Sequence, residues 1–242
     1  KEAISAKLRR DNWLDFEPKE IIVSTGSKQS LFSMIITLVD DGDEVIIPVP
    51  YWVSYEEMVK FAGGKSILLK TNNFKIDPLK LEKAVTEKTK MLILNSPSNP
   101  TGVVYEEKEL KQIAQICIKH DIIVLSDEIY EKLIYGKKHH SIASINDKIR
   151  KLTIVINGVS KTYAMTGWRI GWTLSPAHVA TAMADLKSQE TSNPSSISQY
   201  AALAAVVPVL IGVAFNAILA DPADVRGMGA AALGIVISQA VR

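Results

Sequence analysis

Asn157-Gly158-Val159-Ser160-Lys161-Thr162-Tyr163-Ala164-Met165-Thr166-Gly167-Trp168-Arg169-Ile170-Gly171 follows directly on the apolar run Leu152 to Ile156. A run of that length and character reads as a buried strand. Lys161 then stands just past a strand's carboxyl end, eight residues before Arg169. The small residues around it allow a lysine to be nearly buried, and a desolvated ammonium gives up its proton more readily than a surface one. An arginine in the same stretch can hold a phosphate. A lysine and an anion-binding arginine at one strand end call for further ligand-binding groups at neighbouring strand ends, and the rest of the chain supplies candidates.

Working back from this stretch, Ile21 to Val23 reads as a short strand, followed by Thr25-Gly26-Ser27-Lys28 and a helical pattern from Gln29 to Val39. A glycine turn that opens a helix presents free N–H groups and the positive end of the helix dipole to an anion; alone, it is equally an ordinary turn. Glu44 to Pro48 forms the next strand, with Trp52 just beyond it and a helix carrying Tyr55, Met58, Val59 and Ala62 on its apolar positions. Trp52 is placed either to cover a flat ring or to fill the core. Ser66 to Leu69 is a strand, residues 78–87 are helical with Leu79, Leu81 and Val85 apolar, and Met91 to Leu94 is wholly apolar, as in a strand covered on both faces. That strand ends in Asn95-Ser96-Pro97-Ser98-Asn99-Pro100-Thr101-Gly102, a tight loop from which Asn99 offers a donor and an acceptor.

Residues 106–119 form an amphipathic helix, and Ile122 to Leu125 a buried strand ending in Ser126-Asp127-Glu128-Ile129-Tyr130. Asp127 is expected to be poorly solvated and to need a cationic partner; Glu128 is expected to face solvent. Arg169 to Leu174 is a further strand. Ser175-Pro176 reads as an N-cap and first helical residue for a helix to Glu190, and another helix runs to Val206. At the amino end, residues 1–16 hold a short helix stopped by Pro18. Strand and helix alternate throughout, which predicts an α/β fold: a three-layer sandwich around a mainly parallel sheet. Ligands of such sheets bind beyond the strands' carboxyl ends.

Hydrophobic residues make up 47% of the 242 and charged residues 22%, the balance of a folded globular chain. A net charge of +2 and the absence of a long basic run argue against a nucleic-acid or anionic-membrane partner. Lys137-Lys138-His139-His140 reads as a solvated loop. Cys117 is the sole cysteine, so no intrachain disulfide forms, which fits a reducing, cytoplasmic setting; its position on the apolar helix face makes it a core residue. The four histidines have no metal-ligand spacing, and no metal site is expected. The start, Lys1-Glu2-Ala3-Ile4-Ser5, has no initiator methionine and reads as the interior of a longer chain.

Pro50-Tyr51-Trp52-Val53-Ser54-Tyr55, Asn95-Ser96-Pro97-Ser98-Asn99-Pro100-Thr101-Gly102, Ser126-Asp127-Glu128-Ile129-Tyr130 and Ala164-Met165-Thr166-Gly167-Trp168-Arg169-Ile170-Gly171 stand in this order. Together they resemble the class I/II aminotransferases, fold-type I pyridoxal-phosphate enzymes, and most closely the bacterial and archaeal aspartate aminotransferases. The likeness covers about residues 1–206, which would be the cofactor-binding large domain. It implies pyridoxal 5'-phosphate as cofactor, amino-acid and 2-oxo-acid substrates, and a homodimer. By matching positions, Lys161 would be the catalytic, Schiff-base lysine and Asp127 the partner of the ring nitrogen. Tyr130 and Asn99 would bond the ring's 3-oxygen, and Trp52 would stack on the ring. The phosphate would be held by Ser27, Lys28 and Arg169, and Gly26 and Ser160 would also be cofactor-binding residues. Many relatives carry a serine at the position of Gly158, so one phosphate contact is expected to be weaker here. The alternatives are a truncated, non-catalytic cofactor-binding module and a related β-eliminating lyase.

The carboxylate-gripping arginine of the family's small domain has no match: Arg226 and Arg242 stand in unrelated contexts. After Val206 the resemblance stops, and residues 207–242 form an apolar tail with only Asp221, Asp224, Arg226 and Arg242 charged. Ala201 to Ala220 is long enough to span a bilayer. A buried helical hairpin, a membrane hairpin, and unrelated sequence joined to an enzyme fragment are the three readings. The last accounts for both the loss of pattern and the change in composition.

Overall fold

A computed structural model describes residues 1–207; the tail beyond lies outside the described residues. Seven strands form one sheet: β1 (Ile21–Ser24), β2 (Glu44–Val49), β3 (Lys65–Lys70), β4 (Thr89–Asn95), β5 (Ile123–Asp127), β6 (Thr153–Gly158) and β7 (Gly171–Leu174), in the order β1-β7-β6-β5-β4-β2-β3. The β2–β3, β2–β4, β4–β5 and β5–β6 pairs are parallel, and only β7 runs against its two neighbours, β6 and β1. The helices are α1 (Glu2–Asn12), α2 (Ser27–Leu38), α3 (Ser54–Phe61), α4 (Pro78–Ala84), α5 (Glu107–Lys119), α6 (Asp147–Leu152), α7 (Ala177–Glu190) and α8 (Ser196–Val206).

Strand side chains alternate between faces, so a strand buried on both sides must be apolar at consecutive positions. β4 does this: Met91 and Ile93 pack with Leu31 and Met34 of α2, Tyr55 and Met58 of α3, and Met183 of α7. Leu92 and Leu94 pack on the other face with Leu81 of α4, Leu110 and Ile113 of α5, and Ile149 of α6. A third cluster joins α1 and α8 to β1, β6 and β7 through Leu8, Ala202, Ile21, Val155 and Trp172. The three layers and the mainly parallel sheet agree with the pattern of the sequence. Cys117 is buried in the second cluster, and burial pushes its thiol up to about 12. None of the described helices is long and apolar enough to cross a membrane.

Several boundaries differ from expectation. α1 stops at Asn12 because Trp13 turns into the left-handed region (φ 58°), and Pro18 instead opens a one-turn 3-10 helix whose ends are closed by Glu17 and Glu20. Pro176, not Ser175, is the N-cap of α7, and the Ser175 N–H bonds the Glu20 carbonyl at 3.1 Å. α4 is shorter than the apolar pattern suggested and leaves Leu79 exposed.

The largest departure is a buried polar cluster on the α1 side of the sheet. Glu128 was expected to face solvent but is 1% exposed. It follows Asp127 on the strand and so points to the opposite face, where the Ser126 and Ser141 hydroxyls donate to it at 2.9 and 2.6 Å and His139 Nε2 lies 2.9 Å away. His139 is thus drawn out of the solvated loop assigned to it, while Lys137 and Lys138 stay exposed. Burial works against a charged His139, but the Glu128 carboxylate beside it wins and raises its pKa. Nearby, fully buried Lys7 of α1 pairs with Glu131 and donates to Asn12 Oδ1 at 2.7 Å, and Asn12 Nδ2 donates to the other Glu131 oxygen at 2.5 Å. Glu128, Glu131 and His139 bring ligand-type atoms within 4.8 Å of one another. With Lys7 and His139 set against the two carboxylates, the cluster neutralises itself through ion pairs.

Removing one member of a buried ion pair leaves an uncompensated charge, at a cost of about 3–5 kcal/mol. Lys7→Ala is therefore expected to lower the unfolding free energy by that amount, measured by urea denaturation. A loss below about 1 kcal/mol, the value of a surface pair, would contradict the cluster described here.

Candidate active site

The carboxyl ends of β1, β2, β4, β5 and β6 open onto one cleft of about 240 Å³. Ser27, Lys28, Trp52, Asn99, Asp127 and Tyr130 line it, together with Ser160, Lys161 and Arg169. Gly26, the remaining candidate, lies directly behind Arg169. The sequence candidates from five separate segments thus converge.

Close backbone approach builds the anion end of the cleft. Gly26 caps α2 at φ 81° and brings no side chain to the helix's first amides. A Cβ on Gly26 would lie 2.3 Å from Arg169 Nη2, so the guanidinium rests against the glycine itself. Arg169 adopts the left-handed conformation (φ 55°), and its Nη1 donates to the Thr166 carbonyl at 2.9 Å. Across the sheet, a Cβ on Gly171 would lie 2.3 Å from the Ser27 nitrogen. Gly158 is equally hemmed in: a Cβ there would meet Ser27 Oγ at 2.6 Å and the Ile170 carbonyl at 2.8 Å. The space that a serine at 158 would need is taken by Ser27, whose hydroxyl donates to the Asn157 carbonyl at 2.9 Å.

Asp127 sits at the far end of the cleft, 3% exposed. The cation expected beside it is not there: among the described residues its carboxylate is met by the Tyr55 hydroxyl, donating to Oδ2 at 2.6 Å, and by the Ile129 N–H at 3.2 Å from Oδ1. Burial dominates, pushing the Asp127 carboxyl up to about 6 against the pull of these two donors. Tyr55 was read from sequence only as a core position of its helix. Asn95, also unassigned, ties the loops together: its Nδ2 donates to the Asp127 carbonyl at 2.9 Å and its Oδ1 accepts the Asn99 N–H at 2.6 Å. Together the two bonds link the Asn99 loop, whose two X-Pro bonds are both cis, to the end of β5.

Trp52 is half-buried, and its ring is perpendicular to that of Tyr55, with centroids 5.3 Å apart at 88°. The Lys28 ammonium lies over the Trp52 ring, 4.8 Å from its centroid. Ser160 is buried, but Lys161 is exposed, contrary to the nearly buried lysine expected. Its strand is buried throughout, yet Lys161 belongs to the turn beyond the sheet edge, where the cleft opens. The ammonium lies 5.7 Å from the centroid of the Tyr130 ring.

An Asp127 carboxyl near 6 when folded and 3.8 when unfolded holds more of its proton in the folded chain between these values. Its contribution to stability therefore falls as pH rises through that window. Asp127→Asn should remove about 3 kcal/mol of this dependence. Urea midpoints compared at roughly pH 4 and pH 7 check it: relative to the parent chain, the variant should gain at the higher pH, and an equal difference at both would contradict the assignment.

A sequence model of the family described as aminotransferase class I and II matches residues 1–215. The chain is 52% identical over 209 residues to the aspartate aminotransferase of Bacillus subtilis (strain 168), a match covering 85% of this chain and 53% of that protein. It is 53% identical, with the same coverage, to the aspartate aminotransferase of Geobacillus stearothermophilus. The solved structure of Thermus thermophilus aspartate aminotransferase with maleate superimposes with a TM-score of 0.84 at 44% identity, covering 88% of this chain and 56% of that one. The chain spans about half the length of the curated relatives it matches. Motifs, fold and relatives agree, and the chain belongs to the class I and II aminotransferases.

Proposed function

We propose that the cleft binds pyridoxal 5'-phosphate and serves amino-group transfer between an amino acid, aspartate or one similar, and a 2-oxo acid. The observation that carries this reading is the pairing, in one cleft, of a buried carboxylate lacking a cation with a glycine-lined anion cradle. A group that is cationic at one end and phosphorylated at the other answers both. When bound, the cofactor supplies an aldehyde that takes up an amino group and a ring that draws electrons from the substrate's α-carbon.

The chain's own residues divide the remaining work. Asp127, as an anion, would pair with the ring nitrogen and favour its protonated form. Trp52 supplies the flat apolar wall, and Tyr130 and Asn99 supply polar atoms for the 3-oxygen. The first amides of α2 at Ser27 and Lys28, with Ser160 and the Arg169 guanidinium, would hold the phosphate, joining a helix dipole to a positive charge. Gly26 and Gly158 let these donors approach. Lys161 would be the amine that holds the cofactor through its aldehyde, and, when free, the base positioned to accept a proton from the substrate α-carbon. Its place at the open side of the cleft leaves room for an incoming amino acid. The partner implied is a second copy of the chain, as in the family.

Titration with pyridoxal phosphate is expected to give a visible absorption band that Lys161→Ala abolishes. A band unchanged by that substitution would refute the assignment of the lysine. In a single-turnover assay, aspartate should convert the bound cofactor to its amine form. Binding without conversion would mark a non-catalytic module, and ammonia and pyruvate formed from serine, whose β-hydroxyl can leave, without an oxo-acid acceptor would mark a β-eliminating lyase.

A further inference from the structure

Tyr55 takes part in two contacts of the cleft at once. It lies in the first turn of α3, and its N–H bonds the Trp52 carbonyl at 3.0 Å, so the two residues move as one unit. Its side chain is 2% exposed. The hydroxyl ends on Asp127 Oδ2, and the ring packs perpendicular to that of Trp52. We propose that Tyr55 is a positioning residue for the ring site: its hydroxyl orients Asp127 and stabilises its charged form, while its ring braces the Trp52 plate. The part concerning the plate rests on the pyridoxal-phosphate reading of the cleft; the part concerning Asp127 does not.

Charge and geometry agree. A carboxylate sealed from water favours its neutral form unless donors stabilise the anion. Among the described residues Asp127 has two donors, and of these only Tyr55 comes from another element of the fold. The direction of the bond is fixed, because burial first, and then the adjacent Asp127 carboxylate, raise the Tyr55 phenol well above its ordinary value. The proton stays on the phenol. Of the other titratable groups nearby, Glu128 on the same strand end opposes ionisation of Asp127, and Tyr130 lies close enough to act on Tyr55. Lys28, Lys161 and Arg169 share the cleft, but none forms an ion pair with Asp127 among the described residues.

The test uses the ligand-free chain with carbon-13-labelled aspartate carboxyls, and Asp127 is assigned by its loss in Asp127→Asn. In Tyr55→Phe, which keeps the ring and its perpendicular contact, the titration midpoint of Asp127 should rise by about one pH unit, the size expected for one hydrogen bond to a charged group. Urea midpoints establish that the variant is folded. An unmoved midpoint in a folded Tyr55→Phe would overturn the proposal. Should the phenylalanine variant not fold, Tyr55→Met, a flexible filler without a donor, carries the same measurement. Quenching of Trp52 fluorescence by pyridoxal phosphate, identified against Trp52→Phe, tests the brace: it should persist in Tyr55→Phe and fall in Tyr55→Leu, and equal quenching in the two would overturn that part. A chain that shifts Asp127 as expected but binds no cofactor would separate failure of the cofactor reading from failure of the hydrogen bond.

Discussion

Backbone meets backbone where Gly171 of β7 passes the first amide of α2. An added Cβ would come within 2.5 Å of the Gly26 carbonyl carbon and closer still to the Ser27 nitrogen. No side chain can stand there, and the contact joins two parts of the chain far apart in sequence. One is the strand-to-helix turn that offers free amides. The other is the segment between β6 and β7 that carries Lys161 and Arg169. Ser27 reinforces the junction by bonding Asn157, and Gly158 leaves room for it. The anion cradle therefore exists because three glycines lie where two pieces of main chain nearly touch. A helix end elsewhere in the fold would lack the second wall.

At the opposite end of the cleft, two consecutive carboxylates meet different fates through strand geometry alone. Asp127 points to the α2–α3 face and finds a phenol and one amide, leaving its charge incompletely answered. Glu128 points to the other face and finds two hydroxyls and His139. The second is a stabilising cluster that closes on itself. The first keeps a capacity for a positive partner, which is what a binding site requires. Burial alone would not have told them apart, since both are almost inaccessible.

The alternation of apolar runs and amphipathic stretches made the three layers legible, because strands covered on both faces must be apolar at successive positions. Membership of the cleft was legible for a related reason: the ligands of a parallel sheet bind beyond the carboxyl ends of its strands, where these motif residues stand, although Glu128 shows that such a position can also turn to the other face. Tyr55 was not legible, since a tyrosine in phase with Met58 and Val59 looks like any apolar position, and its partner lies 72 residues away. Its one local signal was its place a single turn after Trp52. Glu128 was misjudged because its partners Ser141 and His139 come from a segment with no periodicity to mark it. The exposure of Lys161 depends on where a turn opens, which the strand before it does not determine.

β7 is the one strand that runs against its neighbours, and this bears on how the cleft assembles. A parallel neighbour would have needed a crossover helix after β6, sending the chain to the far end of the sheet before it returned. Pairing β6 with β7 antiparallel lets the chain turn back within a dozen residues, Val159 to Ile170. Lys161 and Arg169 are consequently tethered on a single short loop. Closing that loop carries a small entropic cost compared with the long-range closures that bring β1, β2 and β4 to the same rim. Pairings between near segments also form sooner than distant ones. The lysine and its neighbouring arginine thus belong to the part of the cleft that closes over a short stretch of chain, while the walls from β1, β2 and β4 close over much longer ones.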